Sequence, residues 1–325
     1  MAKYTIIKLF HLTPLHIGTG KENYDFSSSD LHSDTLMSAL AAIRAQQGKS
    51  DDIDKFLGSF ILSSAFPFLG AYYFFPKMNG KIDVTVNGED EHEYRKNLKN
   101  IKFVDSSIWM KLINGEKVSV SKEQIKDGFL VSSADDFKCI CKSQVSERVS
   151  VPRSDGQNAT PFFFDWKYYD KEAGLYCLTD AQDSLLKEIV SLFSQLGDYG
   201  LGTDKSVGGG KFEVKPEDFE IQIPQNAHST MLLSLYIPTE EELSLLNLKE
   251  SKYNLLLRGG YIAGSQEEDL RHLRKKSVYM FGEGSIFPTV QRLSGKVVDL
   301  KPKWNDERMH SVYRSGRPFC IPVKL

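Results

Sequence analysis

Thr179-Asp-Ala-Gln-Asp-Ser-Leu-Leu-Lys-Glu-Ile-Val-Ser-Leu-Phe-Ser-Gln-Leu-Gly-Asp-Tyr-Gly-Leu-Gly-Thr-Asp-Lys-Ser-Val-Gly-Gly-Gly-Lys211 is a helix, a glycine-dense loop and the start of a strand in one run. Leu186, Ile189, Val190, Phe193 and Leu196 recur at helical spacing and predict an amphipathic helix over 181–196. Thr179 and Gln182 have the spacing of a capping box, and Gly197 stands where a C-terminal cap belongs. Six of the fifteen residues from Gly197 to Lys211 are glycine. Glycine reaches conformations closed to other residues and lets a ligand approach the main chain. Mixed with Thr203, Lys205, Ser206 and Lys211, these glycines offer amides, hydroxyls and ammonium groups, a chemistry suited to phosphate or an RNA backbone.

Nucleotide motifs fail here. A P-loop needs Ser or Thr after Gly-Lys, and Gly210-Lys211 is followed by Phe212. A dinucleotide fingerprint opening at Gly200-Leu-Gly202 meets Lys205 where its third glycine belongs. The loop also follows a helix and leads into a strand, the reverse of either motif's order. A flexible connector is the plain alternative, but it would accept Ser, Asn or Asp as readily as glycine. The turn His16-Ile-Gly18-Thr19-Gly20-Lys21 offers the same chemistry in a smaller dose, and an ordinary post-strand turn is its plain reading.

Outward from the loop, residues 3–10 read as a strand, and a helix begins near Ser33-Asp34, either of which could cap it. Residues 71–75 read as a buried strand. Residues 76–130 are polar, with turn signals at Asn79-Gly80 and Asn87-Gly88, and read as hairpins and an insertion. Arms at 139–151 and 162–177 flank a polar tip and form a second hairpin, with Arg148 and Arg153 on and just beyond one arm. A protruding basic hairpin can grip phosphates or wedge between nucleotides; solvated surface arginines are the bland reading. Short strands follow at 231–237, 253–257, 277–281, 295–300 and 319–323. This order predicts an α+β fold of split βαβ units, divided into 1–178 and 179–325.

Composition narrows the function. The chain has 325 residues, 41% hydrophobic and 26% charged, with a formal net charge of −2. It can build a normal core. A stand-alone nucleic-acid binder is usually more basic. Positive charge nevertheless gathers toward the end: residues 301–325 hold six Lys or Arg against two Asp or Glu. Such a stripe can steer a polyanion. No run approaches the about 20 apolar residues of a membrane span, and the opening residues lack a cleavable-signal shape, so a cytoplasmic location is expected. Cys139, Cys141, Cys177 and Cys320 lack zinc-ribbon spacing and read as free thiols, and no histidine pair has metal-ligand spacing. No Gly-x-Ser-x-Gly elbow and no Gly-Gly-Asp-Asp palm sequence occurs. His11, His16 and His32 come early; one could serve as a general acid or base, and a hydrogen-bonding histidine at a turn is the alternative.

The order of these pieces resembles the RAMP superfamily of CRISPR proteins, and within it the fourth subunits of type III-A Csm interference complexes. The likeness is carried by His16-Ile-Gly-Thr-Gly20, Ser33-Asp34-Thr-Leu, Ser64-Ala-Phe-Pro-Phe-Leu-Gly70, the loop Gly200 to Lys211, and Tyr313-Arg-Ser-Gly-Arg-Pro-Phe-Cys-Ile-Pro-Val323. The resemblance implies two ferredoxin-like (RRM-like) domains with a protruding β-hairpin thumb and a glycine-rich loop. It implies a non-catalytic subunit, without cofactor or metal, that holds the 5′ tag of the crRNA. It implies docking to the large polymerase/cyclase-like subunit and to the adjacent backbone RAMP subunit, with target RNA met indirectly. On that reading the tag-lining residues are His16, Gly18, Thr19, Gly20, Lys21, Gly200, Gly202, Thr203, Lys205, Ser206, Gly208, Gly209, Gly210 and Lys211, with Arg148 and Arg153 on the thumb. Two alternatives remain. One is a metal-independent crRNA-processing endoribonuclease of the same superfamily, with His32 or His16 as acid or base and Lys205 stabilising developing charge. The other is an interaction protein with no RNA role.

Overall fold

The structure is a computed structural model that describes residues 1–18, 24–88, 91–152, 158–262, 265, 267–289 and 291–324. Thr19, Gly20, Lys21 and Arg153, all named above as candidate RNA contacts, lie outside the described residues.

An eight-stranded sheet organises the molecule. Its strand order begins Glu213–Ile221, Ala2–Phe10, Ala173–Thr179, Phe66–Leu69, with each neighbouring pair antiparallel. It continues through Tyr72–Pro76 and Phe103–Asp105 to two short strands, Phe129–Leu130 and Ile125–Lys126. The helix Ser33–Gln46 connects the first strand to the region of Phe66–Leu69, and the helix Asp183–Tyr199 connects Ala173–Thr179 to Glu213–Ile221.

Alternation in the first strand shows why the sheet is central. Ile7 and Leu9 face the two helices, packing in one core with Leu36, Leu40, Ile189, Phe193 and Leu196. Ile6 points to the opposite side, into a core with Phe75, Trp109, Met231, Phe319 and Ile321. Both faces are covered, so Ala173–Thr179 is buried at every residue and reads as a continuous apolar run.

Several expectations change. The helix after Thr179 starts at Asp183, with Gln182 as an N-cap that makes no side-chain cap. No capping box forms, because the Thr179 hydroxyl donates to the Ile61 carbonyl (2.9 Å) and ties the strand to a crossing segment. Gly197 is not the stop either. The helix runs on to Tyr199 and ends at Gly200, whose φ of 88° lies in the region that favours glycine. Gly197 is required for another reason: a Cβ there would meet the Phe212 carbonyl oxygen at 2.2 Å.

The helix Asp183–Tyr199 and the strand Glu213–Ile221 follow residue 178, yet they pack on the first strand; the register pairs Ala2 with Ile221 through Phe10 with Glu213. Residues 76–130 hold more than hairpins. Helices Glu91–Asn100 and Ser106–Ile113 lie within them, the second capped by the Asp105 carboxylate, which accepts from the Ser107 amide (2.9 Å). Trp109 from that helix stacks on Phe75 at 4.2 Å, which locks the insertion onto the sheet. The arms of the hairpin are Cys141–Ser150 and Thr160–Tyr169, and Ala173–Thr179 belongs to the main sheet instead.

Beyond residue 225 the described strands form small sheets. Ser229–Leu232 sits between Ile286–Phe287 and Cys320–Val323, while Leu255–Arg258 pairs with Val278–Phe281 and Val297–Asp299 with Tyr313–Ser315.

Candidate nucleic-acid interface

Three segments far apart in sequence meet at one corner: the turn after the first strand, the base of the hairpin and the glycine loop. The turn and hairpin are bridged by reciprocal backbone bonds between Leu15 and Lys167 (3.0 and 2.9 Å). The turn and loop are joined by Gly210 N–H to the Pro14 carbonyl (2.9 Å) and Thr203 N–H to the His16 carbonyl (3.1 Å). Thr13 adds two more ties: its hydroxyl donates to the Gly208 carbonyl and accepts from the Lys211 amide, each at 2.8 Å.

The glycines make this closeness possible. A Cβ on Gly210 would meet the Leu201 carbonyl oxygen at 1.9 Å, and one on Gly202 would meet the His16 carbonyl oxygen at 2.1 Å. At Gly209 it would strike the Trp166 ring at 2.5 Å. The loop is therefore packed rather than floppy. Its amides are also largely committed: those of Gly200, Leu201, Thr203, Gly209, Gly210 and Lys211 all donate within the protein. An open cradle of backbone N–H groups, as expected from the sequence, is not what the loop presents. It presents side chains: Lys205, Ser206 and Lys211 are exposed around a single turn of 3-10 helix at Lys205–Val207.

Arg148 reaches this corner from the hairpin. Its guanidinium pairs with the Asp204 carboxylate of the loop. It also lies over the rings of Phe164 and Trp166, 4.4 and 5.3 Å from their centroids. Read from the sequence as a hairpin arginine able to grip phosphate, Arg148 instead fastens the tip-side half of the hairpin to the loop.

His16 lies beneath the surface, 1% exposed, against Phe164 at 4.5 Å. Its Nδ1 donates to the Asp165 carbonyl (2.7 Å). Nε2 and the Thr203 hydroxyl are both buried without a hydrogen-bond partner among the described residues. Asp165 is itself a junction: its carboxylate accepts from the Ser27 amide (2.9 Å) and the Ser143 hydroxyl. Burial works to raise its pKa; those hydrogen bonds, with Lys167 and His16 nearby, bring it below the usual carboxylate range.

A second polar centre, which the sequence did not reveal as such, joins the first helix to the C-terminal strands. Asp34 is fully buried and takes a two-point contact from Arg258, with Nε and Nη2 each at 3.0 Å. Arg314 Nη1 lies 2.8 Å from the same carboxylate but out of line for a hydrogen bond, so its contribution is mainly Coulombic. Burial alone would raise the Asp34 pKa; the two arginines overcome it and hold the group at about 2. Beside it, burial and the Arg314 charge bring Lys275 down to about 8.

Two residues before Asp34, His32 Nδ1 lies 2.8 Å from Glu283, and Ser64 donates its hydroxyl to the same carboxylate. Desolvation pulls the His32 pKa down, but Glu283's charge and hydrogen bond outweigh it and the net shift is upward. Glu283 moves downward on balance, burial being overcome by His32 and Ser64. His32 and Glu283 line a cleft of about 420 Å³ that also takes Lys77, Lys99 and Lys102 from the insertion. Lys205, expected beside a catalytic histidine, does not line this cleft. The sequence signal for the centre was Ser33-Asp34 at a helix start; that its partners come from beyond residue 250 leaves no local trace.

Among the described residues no group of His, Cys, Asp and Glu has the arrangement of a metal site. All four cysteines are free, and no helix among the described residues is long and apolar enough to cross a membrane.

Comparison with known proteins gives a consistent pattern. The RAMP superfamily profile matches residues 11–213, and the CRISPR Csm4 C-terminal domain profile matches residues 225–323. The chain is 26% identical over 334 residues to the CRISPR system Cms protein Csm4 of Streptococcus thermophilus, covering 98% of this chain and 99% of that one. It is 24% identical over 310 residues to the protein of the same name from Mycobacterium tuberculosis strain H37Rv, covering 94% and 93%. Its fold resembles a chain in the crystal structure of the Csm3-Csm4 subcomplex of the type III-A CRISPR-Cas interference complex. That match has a TM-score of 0.64 and 20% identity, over 99% of this chain and 100% of that one. A chain of the Csm1-Csm4 cassette in complex with cA4 matches with a TM-score of 0.61 and 20% identity, over 100% and 99%.

Proposed function

The chain belongs to the RAMP superfamily, and from that premise we propose that it is a non-catalytic, crRNA-binding subunit of a type III CRISPR effector complex. It holds the 5′ tag of the guide at the corner built by the turn, the hairpin base and the glycine loop. The observation that carries this reading is the packing of that corner. Glycines press three segments together and leave Lys205, Ser206 and Lys211 projecting from a rigid base. Fixed cations and hydroxyls on a rigid support can position a single strand through its phosphates without reading every base. On this reading Gly200, Gly202, Gly208, Gly209 and Gly210 shape the surface, and His16, Thr203 and Arg148 brace it from behind. Gly18 belongs to the same corner, its Cβ position 3.9 Å from the Thr203 methyl.

The βαββαβ order of the sheet's first four strands is that of a ferredoxin-like domain, which on this account runs to about residue 221 rather than 178. The second domain begins near 225, where the second profile match starts. The hairpin Cys141–Ser150 with Thr160–Tyr169 is the thumb.

Docking surfaces for protein partners fit the same reading. The ribbon Leu255–Arg258 with Val278–Phe281 exposes Leu255, Leu257 and Tyr279, each at least half accessible. The hairpin exposes Val145, Val149 and Phe163. Apolar patches of this kind mark protein contacts. We assign them to the large subunit and the adjacent backbone subunit, target RNA being met only through the guide.

Purification of the intact assembly through this chain, followed by mass spectrometry, RNA sequencing and RNA–protein crosslinking, tests the reading. Guide RNAs sharing one repeat-derived 5′ end, crosslinked within 200–211, are expected. Absence of RNA, or crosslinks confined to other faces, would overturn it. His32 held by Glu283 on an open cleft favours a second reading, metal-independent RNA cleavage. Incubation of the purified chain with repeat RNA in EDTA separates the two: intact RNA supports the scaffold, and a defined cut lost in His32→Ala supports the enzyme.

A further inference from the structure

The cleft lined by His32, Glu283 and the insertion has a composition that the glycine-loop corner does not explain. Its lining mixes apolar side chains, Phe66 and Leu256 among them, with basic ones, Lys99 and Lys102. Those two lysines are exposed and have no carboxylate partner among the described residues, whereas Lys77 is committed to the carbonyls of Leu98 and Lys99 (2.9 and 3.0 Å). At the floor, His32 is tied through Nδ1 to Glu283, and its Nε2 has no partner among the described residues. Glu283 is held there by His32 and also accepts from the Ser64 hydroxyl. The Asn79–Asn254 amide pair (3.2 Å) and the Asp30 carboxylate complete the lining.

A bare polyphosphate would meet Asp30 with repulsion and leave the apolar lining unused. A purely apolar ligand would leave the lysines and amides unmatched. A nucleoside phosphate matches each part: base on the apolar side chains and amides, ribose hydroxyls toward Asp30, phosphate toward Lys99, Lys102 and His32. The volume of about 420 Å³ lies within the range of small-molecule sites.

We propose that this cleft is a binding site for one nucleoside monophosphate unit, separate from the glycine-loop corner. The unit can come from a free nucleotide or from one nucleotide of an RNA strand; the strand-borne source rests on the RNA-binding reading above. Because Lys99 and Lys102 are exposed, the double substitution Lys99→Glu/Lys102→Glu removes the phosphate partners and leaves the core untouched.

Photo-labelling of the full chain with 8-azido-AMP and, separately, with a 4-thiouridine-bearing single-stranded RNA tests the proposal. Labelled peptides are mapped by mass spectrometry. Labels on the segments of Phe66, Lys99 to Phe103 or Leu256, reduced about tenfold or more in the double variant, are expected. Labelling by 8-azido-AMP assigns the free nucleotide as a source; labelling by the RNA alone assigns the strand. No cleft label from either probe, or labelling indifferent to charge reversal, would overturn the site. If RNA still labels 200–211 in that case, the glycine-loop reading stands without the cleft. If RNA labels the cleft and not 200–211, the cleft stands and the glycine-loop reading falls.

Discussion

The glycine-loop corner and the Asp34 junction do the same mechanical job by opposite means. Each binds distant parts of the chain together. The corner does it by removing side chains, so that carbonyls approach where a Cβ would collide. The junction does it by burying charge, one carboxylate answered by two arginines. A close-packed backbone tolerates almost no added atom, whereas a buried ion cluster tolerates no missing one. Their responses to substitution and to pH should therefore differ in kind.

The largest effect is expected at the junction. Asp34→Ala leaves Arg258 and Arg314 facing each other without an anion, and should destabilise the fold by about 3–5 kcal/mol in urea unfolding. A loss under about 1 kcal/mol would mean that the junction is ornamental. The corner comes next. Gly210→Ala combines a 1.9 Å approach to the Leu201 carbonyl oxygen with a φ of 67° and should cost about 3 kcal/mol. Its control is Gly208→Ala, where φ is 86° but nothing lies within 4 Å, so only the conformational penalty of about 1 kcal/mol applies. Equal losses at the two positions would refute packing as the reason for the glycines.

Acid sharpens the contrast. Asp34 is held at about 2 against an ordinary 3.8, so its contribution is present above 3.8 and fades as pH falls through 2. The shift corresponds to about 2 kcal/mol. The neighbouring pair is bounded on both sides. His32, raised above 6.5, stabilises fully below that value and loses its contribution as pH rises through its folded pKa. Glu283, lowered from 4.5, contributes above that value and loses its share as pH falls. Melting temperatures across pH should therefore show a fall toward alkaline pH that is missing in His32→Gln. The smallest effect is at Arg148. Arg148→Ala frees a half-exposed Asp204 and should cost about 1 kcal/mol, read as faster amide exchange in the glycine loop.

The sequence announced the corner and hid the junction, for a physical reason. Glycine clustering is local, so the run to Lys211 could be recognised as a structured loop. What it could not reveal was that the glycines serve carbonyl contacts with His16 and Leu201 rather than an amide cradle, because those contacts depend on strand pairing. Gly197 shows the same limit: it matched a helix stop by position, yet its requirement comes from Phe212 across the loop. The junction has no local signal. Asp34 and Arg258 are separated by 224 residues, and either alone is an ordinary charged residue at an element's end. The two helices of the insertion were missed because Glu91–Asn100 is nearly all polar and Ser106–Ile113 is short. The sheet, whose strands carry continuous or alternating apolar residues, was the most legible part.

On the proposed reading, the rigid corner holds a guide RNA through Lys205 and Lys211. The direct measurement is the affinity of the full chain for a 5′-tagged single-stranded RNA across a salt series, comparing wild type with Lys205→Glu/Lys211→Glu. Each phosphate contact on a single strand contributes about 0.7 to the log–log salt slope. Loss of affinity of about tenfold or more and a slope reduced by about 1.4 are expected in the double variant, with thermal stability unchanged. The same affinity and the same slope in both proteins would contradict it.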